Sequence, residues 1–443
     1  MNIGFISLGC AKNRVDTEIM MALVQKSQHK LVDDLEKAEL VIINTCGFIN
    51  DAKEEAIDHI ISTGHLKEQG KLRYIIAAGC LAQRYGRELM DEMPELDGVI
   101  GISAYHGIVD VIDQIAEGKT PALIEPAPAE FIEKGERVLS TPPGYAYLKI
   151  TEGCNNRCSY CAIPMIRGQL RSNPEPEILK EVESLAKKGI KELVILGQDT
   201  AVYGQDLGVS NGLPSLLKQI NRIGGIEWIR LMYLHPAHIN QEVIETIAAD
   251  NKILPYMDIP VQHASTSVLK RMNRGHDFDS LYSLLNKLKT EIKDLVLRTT
   301  VMTGFPGETE RDFTELTDFV NSIRFDWLGS FAYSAEDDTA AALMPDQIPD
   351  EVKQARMEQI LKIQKKITRE KNIRRLERTL PILITGQKSK NLYTGRGYFQ
   401  APEVDGITIV KTPQKLVKGE FAKVTLKGIR LYDMIGELAK EES

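Results

Sequence analysis

A loop with three closely spaced cysteines constrains this chain more than any other feature of its sequence. Cys154, Cys158 and Cys161 have the spacing C-x3-C-x2-C and follow the β-rich run AYLKIT. The intervening Asn155 and Asn156 suit an irregular loop better than a helix. Thiolates at these spacings can surround one compact iron–sulfur cluster, in which cysteine sulfurs bind the irons. The loop therefore predicts a cluster with three cysteine ligands, which leaves one iron open to a substrate or cofactor.

A zinc site is the main alternative for this loop. Structural zinc takes four ligands, usually in paired C-x2-C or histidine spacings, which the loop lacks. Inert buried thiols are the other alternative, although three cysteines in one loop seldom serve packing alone. Both alternatives explain the spacing less well than an iron–sulfur cluster.

Composition and charge narrow the class of protein. The chain has 443 residues, which is enough for several domains, and 43% of them are hydrophobic and 26% charged. Its net charge of −7 argues against a protein that mainly grips nucleic acid. No apolar run approaches the roughly 20 residues that span a bilayer, and MNIGFISLGC lacks the basic region of a secretion signal. We expect a cytoplasmic protein without a membrane partner, in which thiols stay reduced.

Strands alternate with helices over most of the chain, which predicts an α/β fold with parallel sheets. We predict four segments: an N-terminal parallel α/β domain (1–118), a Pro-rich linker (119–139), a partial (βα)6 TIM-like barrel (140–371) and a small antiparallel β-barrel (372–443). The long charged pattern PDEVKQARMEQILKIQKK predicts a helix that precedes the last domain. In such sheets the chemistry lies at the carboxyl ends of the strands.

The remaining three cysteines each end a predicted strand of the first domain. Cys10 ends NIGFISLGC, Cys46 ends ELVIINTC and Cys80 ends RYIIAAGC, and each has an adjacent glycine. Because the carboxyl ends of parallel strands share one edge of a sheet, these thiols can converge there. Three buried small hydrophobic residues would be the ordinary alternative. We favour a second cluster site, since the chain's other cysteines already form a cluster loop.

The C-x3-C-x2-C loop after the first strand of a βα barrel resembles the radical S-adenosylmethionine superfamily. Together with a three-cysteine N-terminal domain and a small C-terminal barrel similar to an OB-like TRAM domain, it resembles the methylthiotransferases of that superfamily. The resemblance covers nearly the whole chain. Several stretches resemble the branch that modifies a ribosomal protein (RimO type): SLGCAKNRVDTE, GQDTAVYG, MYLHP, YMDIPVQHAS and GRGYFQAPEVDG.

This resemblance implies an activity, cofactors and partners. The enzyme would carry two 4Fe-4S clusters and use S-adenosylmethionine twice, once to methylate a sulfur and once to form a radical. It would thereby insert a methylthio group at the β-carbon of an aspartate in the twelfth small-subunit ribosomal protein, free or in the ribosomal subunit. A low-potential electron donor such as flavodoxin or ferredoxin is implied, and the cluster ligands are its only implied catalytic residues. Glu403 and Asp405 in the last motif would suit a basic protein loop.

Several further residues are predicted near the cofactor, each with a plainer alternative. Gln198, Asp199 and Thr200 follow a strand and either bind S-adenosylmethionine or cap that strand. Tyr160, with Ile163, is expected to pack near the adenine. His235 and His263 either support the site without binding metal or are structural histidines. Arg230 and Arg298 either pair with the cofactor carboxylate or form ordinary salt bridges.

Two other functions remain open at this stage. A tRNA adenosine methylthiotransferase (MiaB type) would share the chemistry but bind RNA, with steep salt dependence. A non-catalytic iron–sulfur or sulfur carrier would need no S-adenosylmethionine pocket.

Overall fold

The structure is a computed structural model, which describes residues 1–132 and 135–439. The chain forms two compact units. The first contains Met1–Ser140, Lys149–Pro174 and Ser334–Ala342, and the second contains Thr141–Leu148, Glu175–Tyr333 and Leu343–Ser443. Residues 133–134 of the predicted linker and 440–443 of the predicted last domain lie outside the described residues.

The first unit is built on a parallel α/β sheet, as the alternating pattern predicts. Its six strands run in the order β2-β1-β3-β4-β5-β6, and every adjacent pair is parallel. Its core contains apolar side chains of the central strands and of the helices that cover them. In chain order, the elements are β1 (Asn2–Ser7), α1 (Ala11–Lys26), β2 (Lys30–Leu31), β3 (Leu40–Thr45), α2 (Asn50–Glu68), β4 (Tyr74–Gly79), α3 (Cys80–Glu92), β5 (Gly98–Gly101), α4 (Ile108–Ala116) and β6 (Ala122–Leu123).

The central region has the predicted βα repeat. In chain order, its elements are β7 (Tyr145–Lys149), β8 (Thr151–Glu152), α5 (Ile163–Arg167), β9 (Arg171–Ser172), α6 (Glu175–Lys187), β10 (Glu192–Leu196), α7 (Gly212–Asn221), β11 (Trp228–Leu231), α8 (Gln241–Ala249), β12 (Ile253–Asp258), α9 (Thr266–Arg271), α10 (Phe278–Glu291), β13 (Val296–Thr303), α11 (Glu310–Ile323), β14 (Trp327–Ala332) and α12 (Asp350–Ile373). The short elements β8, α5 and β9 belong to the first unit.

Six strands of the second unit form one sheet in the order β14-β13-β12-β11-β10-β7, and the pairs from β10 to β14 are parallel. This confirms the predicted partial barrel. Helices begin where the sequence supplies caps: Asp277 with Ser280 and Thr309 with Asp312 form capping boxes at the starts of α10 and α11. Strand ends and helix starts therefore fix the loops at which polar residues accumulate.

The C-terminal segment forms a closed five-stranded barrel, which confirms the predicted small β-barrel. The strand order around the barrel is β15-β16-β17-β19-β18. Four of its pairs are antiparallel, whereas β17 and β19 pair in parallel. The strands are β15 (Thr379–Ser389), β16 (Leu392–Arg396), β17 (Thr408–Lys411), β18 (Phe421–Arg430) and β19 (Asp433–Leu438).

The compact units do not follow the predicted segment boundaries. Strand β6 lies inside the segment predicted as linker, and the loop of Cys154, Cys158 and Cys161 belongs to the first unit. A continuous sheet therefore extends past residue 118, because the Pro-rich segment still contributes one edge strand. The four-segment division stays a prediction. Among the described residues, no helix is both long and apolar enough to cross a bilayer.

Candidate metal centres and cofactor site

Cys10, Cys46 and Cys80 converge at the carboxyl edge of the first sheet. Cys10 precedes α1, Cys46 directly follows β3, and Cys80 begins α3 directly after β4. The strands β1, β3 and β4 are neighbours in the sheet, so their ends lie side by side. We call these three residues the N-terminal cysteine site. The convergence expected from the strand ends is therefore observed, and the binding of a cluster there stays a prediction.

Two glycines allow the backbone to pack closely at the strand ends that carry the cysteines. Gly9 has a φ of +80°, and a Cβ there would lie 2.7 Å from the Cβ of Cys46 and 3.3 Å from its Sγ. Gly79 has a φ of +93°, and a Cβ there would lie 2.1 Å from Asn44 Oδ1. Only glycine tolerates both the left-handed backbone and this contact. The glycines beside the cysteines are therefore required by the geometry of the site.

Asn13 lies at the centre of the N-terminal cysteine site. Its Oδ1 is 4.0 Å from Cys10 Sγ and 3.5 Å from Cys80 Sγ. Its Nδ2 donates to the carbonyls of Leu8 and Thr45, at 3.3 and 2.9 Å, and is thereby held against two strand ends. One side chain thus touches two of the three thiols and fixes the loop between them.

Burial and charge act on the thiols in opposite directions. Burial raises the pKa of the Cys80 thiol to about 12, against the effect of Arg167, and it also raises the pKa of Cys46. For Cys10, burial is outweighed by the positive charges of Lys12 and Arg167, so its pKa lies below its ordinary value. Cys80 is thus buried and Cys10 and Cys46 are half-buried, and the nearby positive charge comes from Lys12 and Arg167 on helices beside the sheet.

Backbone hydrogen bonds shape the loop of Cys154, Cys158 and Cys161, which we call the loop cysteine site. The N–H of Cys154 donates to the Gly168 carbonyl, and that of Cys161 to the Cys158 carbonyl, both at 3.1 Å. The N–H of Asn156 lies 3.4 Å from Cys154 Sγ. The segment is irregular until α5 begins at Ile163, as the asparagines predict. The three thiols therefore lie on a folded-back loop whose ends are tied together.

A buried charge network lies between the two cysteine sites within the first unit. Arg167 Nη1 donates to Glu152 Oε2 at 2.7 Å, and its Nη2 lies 2.6 Å from Asn13 Oδ1 and 3.2 Å from Asp16 Oδ2. Lys149 Nζ binds Asp16 at 2.5 Å and Glu152 at 2.7 Å. The charged side chains are at most 3% exposed. Two cations and two carboxylates thus compensate each other, as buried charges must.

Both cysteine sites fit the clusters that the sequence predicts. Each site offers three soft thiol donors, which suit iron–sulfur clusters. Cys80 packs with Ala162 and Ile166, which follow the loop cysteine site, in one apolar cluster together with Ile102. The helix that follows the loop cysteine site therefore packs against Cys80 of the N-terminal cysteine site, while the other five cysteines are half-buried.

The residues predicted to bind S-adenosylmethionine differ in how far hydrogen bonds within the protein already engage them. Asp199 Oδ1 accepts from the backbone N–H groups of Ala201 and His235, both at 3.2 Å, and its Oδ2 pairs with His238. Thr200 Oγ1 donates to the Met232 carbonyl at 2.9 Å. These bonds favour the strand-cap alternative for Asp199 and Thr200. Binding of the cofactor stays a prediction for these residues, for the half-buried Gln198 and for the buried Tyr160.

His235 and His238 lie beside Asp199, and their ligand atoms all lie within 4.8 Å of one another. His235 Nδ1 accepts from the Ala237 N–H, and His238 Nδ1 lies 2.6 Å from Asp199 Oδ2. Hydrogen bonds within the strand-end loop therefore occupy these groups. A supporting role for His235 stays a prediction.

His263 is fully buried in the second unit. Its Nδ1 accepts from the Ser265 N–H at 2.9 Å, and its Nε2 lies 3.5 Å from Glu308 Oε2. Glu308 also accepts from the backbone of Gly304 and Phe305 and pairs with Arg356. These contacts favour the structural alternative for His263, because it helps to fix the TGFPGE loop.

The two arginines form ordinary salt bridges in this structure. Arg230 Nε donates to Glu192 at 2.7 Å, and Arg298 Nη1 donates to Asp258 at 2.9 Å. Asp405 is also engaged, because its fully buried side chain pairs with Arg298. The expectation that Asp405 meets a basic substrate loop is therefore wrong, since its carboxylate faces the interior of the second unit.

Sequence reasoning missed Asn13 and Arg167, whose side chains contact the thiols of the N-terminal cysteine site. Asn13 lies three residues after Cys10 in the first turn of α1, and Arg167 ends the short helix after Cys161. Their spacing from the cysteines was visible, but an isolated Asn or Arg predicts no contact across elements. Only the folded chain brings Arg167 to the thiol of Cys80, which lies far from it in the sequence.

Comparison with known families agrees with this arrangement. Residues 148–320 match the Radical SAM superfamily, residues 2–101 the uncharacterized protein family UPF0004, and residues 378–439 the TRAM domain. The methyltransferase TsrM from Kitasatospora setae, solved with cobalamin and a [4Fe-4S] cluster, shares the fold, with a TM-score of 0.58 over 77% of each chain at 14% identity. The fold and sequence matches define a radical S-adenosylmethionine enzyme.

Full-length relatives give the finer class. The ribosomal protein uS12 methylthiotransferase RimO of Syntrophomonas wolfei is 56% identical over 99% of this chain and 100% of its own length. The protein of the same name from Thermoanaerobacter sp. is 45% identical over 98% of this chain and 99% of its own. The chain belongs to the RimO family of radical S-adenosylmethionine methylthiotransferases. It accordingly uses S-adenosylmethionine and 4Fe-4S clusters as cofactors.

Proposed function

We propose that this chain inserts a methylthio group at the β-carbon of an aspartate in ribosomal protein uS12. In this proposal the N-terminal cysteine site and the loop cysteine site each hold one 4Fe-4S cluster with an open iron. S-adenosylmethionine binds at the loop cysteine site, where Tyr160 lies between two of the thiols. A low-potential donor of the flavodoxin or ferredoxin class supplies electrons, and the reaction takes place in the cytoplasm, where thiols stay reduced.

One observation carries this proposal: two separate sets of three thiols lie in one compact unit, and Cys80 of one set packs against Ala162 and Ile166, which follow the other set. Three thiols per cluster leave one iron without a protein ligand. One such iron suits the binding of S-adenosylmethionine, and the other suits a sulfur to be transferred. A simple electron carrier usually closes its cluster with a fourth cysteine, so two open sites support a transferase.

The chain's own residues orient these groups. When bound, the clusters and S-adenosylmethionine supply the electron, the radical and the methylated sulfur. Asn13 and the close glycine contacts hold Cys10, Cys46 and Cys80 at one sheet edge. Ala162 and Ile166 pack against Cys80 and so cover one thiol of the N-terminal cysteine site with apolar surface.

The choice of uS12 as substrate rests on the relatives. The two described above carry the name of a uS12 methylthiotransferase over essentially the entire chain. This support does not favour the tRNA-modifying alternative. The net charge of −7 points the same way, because RNA binding calls for a basic surface.

The test is an anaerobic reaction with reconstituted protein, S-adenosylmethionine, reductant and sulfide. Small ribosomal subunits, isolated uS12 and unmodified tRNA are supplied in separate reactions. Mass spectrometry then follows the replacement of one hydrogen by a methylthio group. We expect the addition on a uS12 aspartate, and we expect none with the Cys158→Ala variant.

Two outcomes would contradict the proposal. Addition on a tRNA adenosine would keep the reaction class but overturn the substrate. Failure of the fully reconstituted enzyme to cleave S-adenosylmethionine under strong reductant would favour a non-catalytic iron–sulfur or sulfur carrier.

A further inference from the structure

Arg167 links the segment that follows one cysteine site to a thiol of the other. It ends the helix α5, which directly follows the loop cysteine site, and its Nη2 reaches 3.3 Å from Cys80 Sγ in the N-terminal cysteine site. The side chain is among the largest fully buried ones of the described residues. A cation on the segment of one site thus donates toward a sulfur of the other.

The neighbours of Arg167 hold its guanidinium in this direction. Glu152 binds Nη1, while Asn13 and Asp16 flank Nη2. Lys149 in turn binds both carboxylates, so the four charges balance without Cys80. Ion pairing alone would therefore be satisfied by Glu152 and Asp16, and the approach to Cys80 is an additional feature of the geometry.

We propose that Arg167 is a positioning residue that sets the reduction potential of the cluster at the N-terminal cysteine site through its hydrogen bond to Cys80. This inference rests on the proposed assignment of Cys10, Cys46 and Cys80 as ligands. It adds one specific relationship: a residue of the segment that follows one cluster adjusts the reduction potential of the other cluster. It also explains why a fully charged side chain is buried at this point.

The physical reason is that a cluster gains negative charge when it is reduced. Hydrogen bonds to the ligand sulfurs and nearby charge are two of the factors that set the potential of iron–sulfur clusters. An N–H donor that points at a sulfur stabilises the reduced state more than the oxidised state. Removal of this donor lowers the potential, so the cluster becomes harder to reduce.

The experiment isolates one cluster in the full-length chain. The background variant Cys154→Ala/Cys158→Ala/Cys161→Ala leaves only the N-terminal cysteine site. In this background, Arg167→Met removes both charge and donor, whereas Arg167→Lys keeps the charge but cannot reach Glu152, Asn13 and Cys80 together. Arg137→Met is the matched control, because Arg137 is also a buried arginine of the same unit, but its partner is Glu18. Iron and sulfide content and a spectroscopic redox titration are measured for each protein.

We expect Arg167→Met to lower the ratio of reduced to oxidised cluster at least tenfold at a fixed solution potential. For a one-electron couple, tenfold corresponds to a shift of about 59 mV. Arg167→Lys should give a smaller shift of the same sign, and Arg137→Met none. If Arg167 had a purely structural role, Arg167→Met and Arg137→Met would change stability or iron content to the same extent, and neither would shift the reduction potential.

Each other outcome decides against the inference. It is overturned if Arg167→Met retains the iron and the potential of the background protein. If Arg167→Met does not fold, the Arg167→Lys variant decides, and an unchanged potential there overturns it. If the background protein itself binds no iron, the ligand assignment fails first and the inference falls with it. If iron is bound but the potential does not respond, only the role of Arg167 is lost.

Discussion

The Tyr256 hydroxyl donates a hydrogen bond of 2.7 Å to Asp405 Oδ2 and thereby joins the central sheet to the C-terminal barrel within the second unit. Tyr256 lies on β12, and Asp405 lies in the loop before β17. The same carboxylate accepts from the Ala401 N–H at 2.8 Å, and Arg298 Nε lies 3.4 Å from its Oδ1. Asp405 of the GYFQAPEVDG motif therefore has a structural role, because its hydrogen bonds hold the C-terminal barrel against the central sheet.

Asp405→Ala should destabilise the second unit. The substitution removes the acceptor of Tyr256 and one partner of Arg298, so both are left with an incomplete set of contacts. Loss of a buried hydrogen-bonding partner of this kind costs about 1–3 kcal/mol. Both tryptophans of the chain, Trp228 and Trp327, belong to this unit, so urea unfolding followed by tryptophan fluorescence reports on it directly. The exposed Glu437→Gln is the control, and equal stability of the two variants would contradict the fastening role.

Glu192→Gln should destabilise the same unit more strongly. Glu192 is fully buried between Arg230, at 2.7 Å, and Arg396 of the barrel strand β16, at 2.6 Å. Removal of its charge leaves two buried guanidinium groups without their shared carboxylate, which costs about 3–5 kcal/mol. The same fluorescence measurement applies. As a control, Glu227→Gln breaks the half-exposed pair with Lys191, and it should cost less than about 1 kcal/mol. A Glu192 variant that unfolds like this control would be the contrary result.

The cysteines show what the sequence can predict about the site. The loop cysteine site follows from local spacing alone, since three thiols within eight residues have few other uses. Cys10, Cys46 and Cys80 required one further step, namely that the carboxyl ends of parallel strands share an edge. That step succeeds because β1, β3 and β4 are neighbours, which the alternation of strands and helices favours but does not fix.

The charged residues show where sequence reasoning stops. Arg230, Arg298 and Asp405 stand near strand ends or in family-like motifs, which made functional roles attractive. Their partners come from other elements of the fold. Arg230, for example, shares the carboxylate of Glu192 with Arg396, which lies far along the chain. A charge's partner depends on register and packing between elements, neither of which its local sequence contains. For the same reason Arg167 escaped notice.

The stability of the second unit should fall below about pH 6.5. Burial, with the positive charge of Arg274, lowers the pKa of His235 to about 2 and that of His276 to about 4. In the unfolded chain these histidines take a proton near pH 6.5. Below that pH the unfolded state binds more protons than the folded state, so the free energy of unfolding decreases as pH falls. The contribution of His276 ends near pH 4, and that of His235 continues toward pH 2.

His276→Gln tests this pH dependence. The variant should reduce the loss of stability between pH 7 and pH 5 by roughly 1–2 kcal/mol, because one of the two histidines with a lowered pKa no longer takes part. Urea unfolding followed by tryptophan fluorescence at both pH values measures the difference. His65→Gln alters an exposed histidine of the first unit and should leave the pH dependence unchanged. An identical slope for the His276 variant and the parent would contradict the assignment.

Single cysteine substitutions should separate the two proposed clusters. A protein with two 4Fe-4S clusters holds about eight irons, so Cys46→Ala and Cys158→Ala should each retain about four after anaerobic reconstitution. Reductive cleavage of S-adenosylmethionine should persist in Cys46→Ala and disappear in Cys158→Ala, whereas both should lose methylthio transfer. Ser159→Ala, in the same loop, changes a side chain without removing a thiol and should keep the iron of the parent.

The split between iron content and cleavage makes this prediction sharp. If the N-terminal cysteine site were three buried hydrophobic residues, Cys46→Ala would keep all its iron, since alanine fills a similar apolar position. If instead both sites shared one larger cluster, either substitution would remove more than half of the iron and abolish cleavage. Only two independent sites give equal iron loss with unequal loss of cleavage, because each set of three thiols is then held by its own loop or sheet edge.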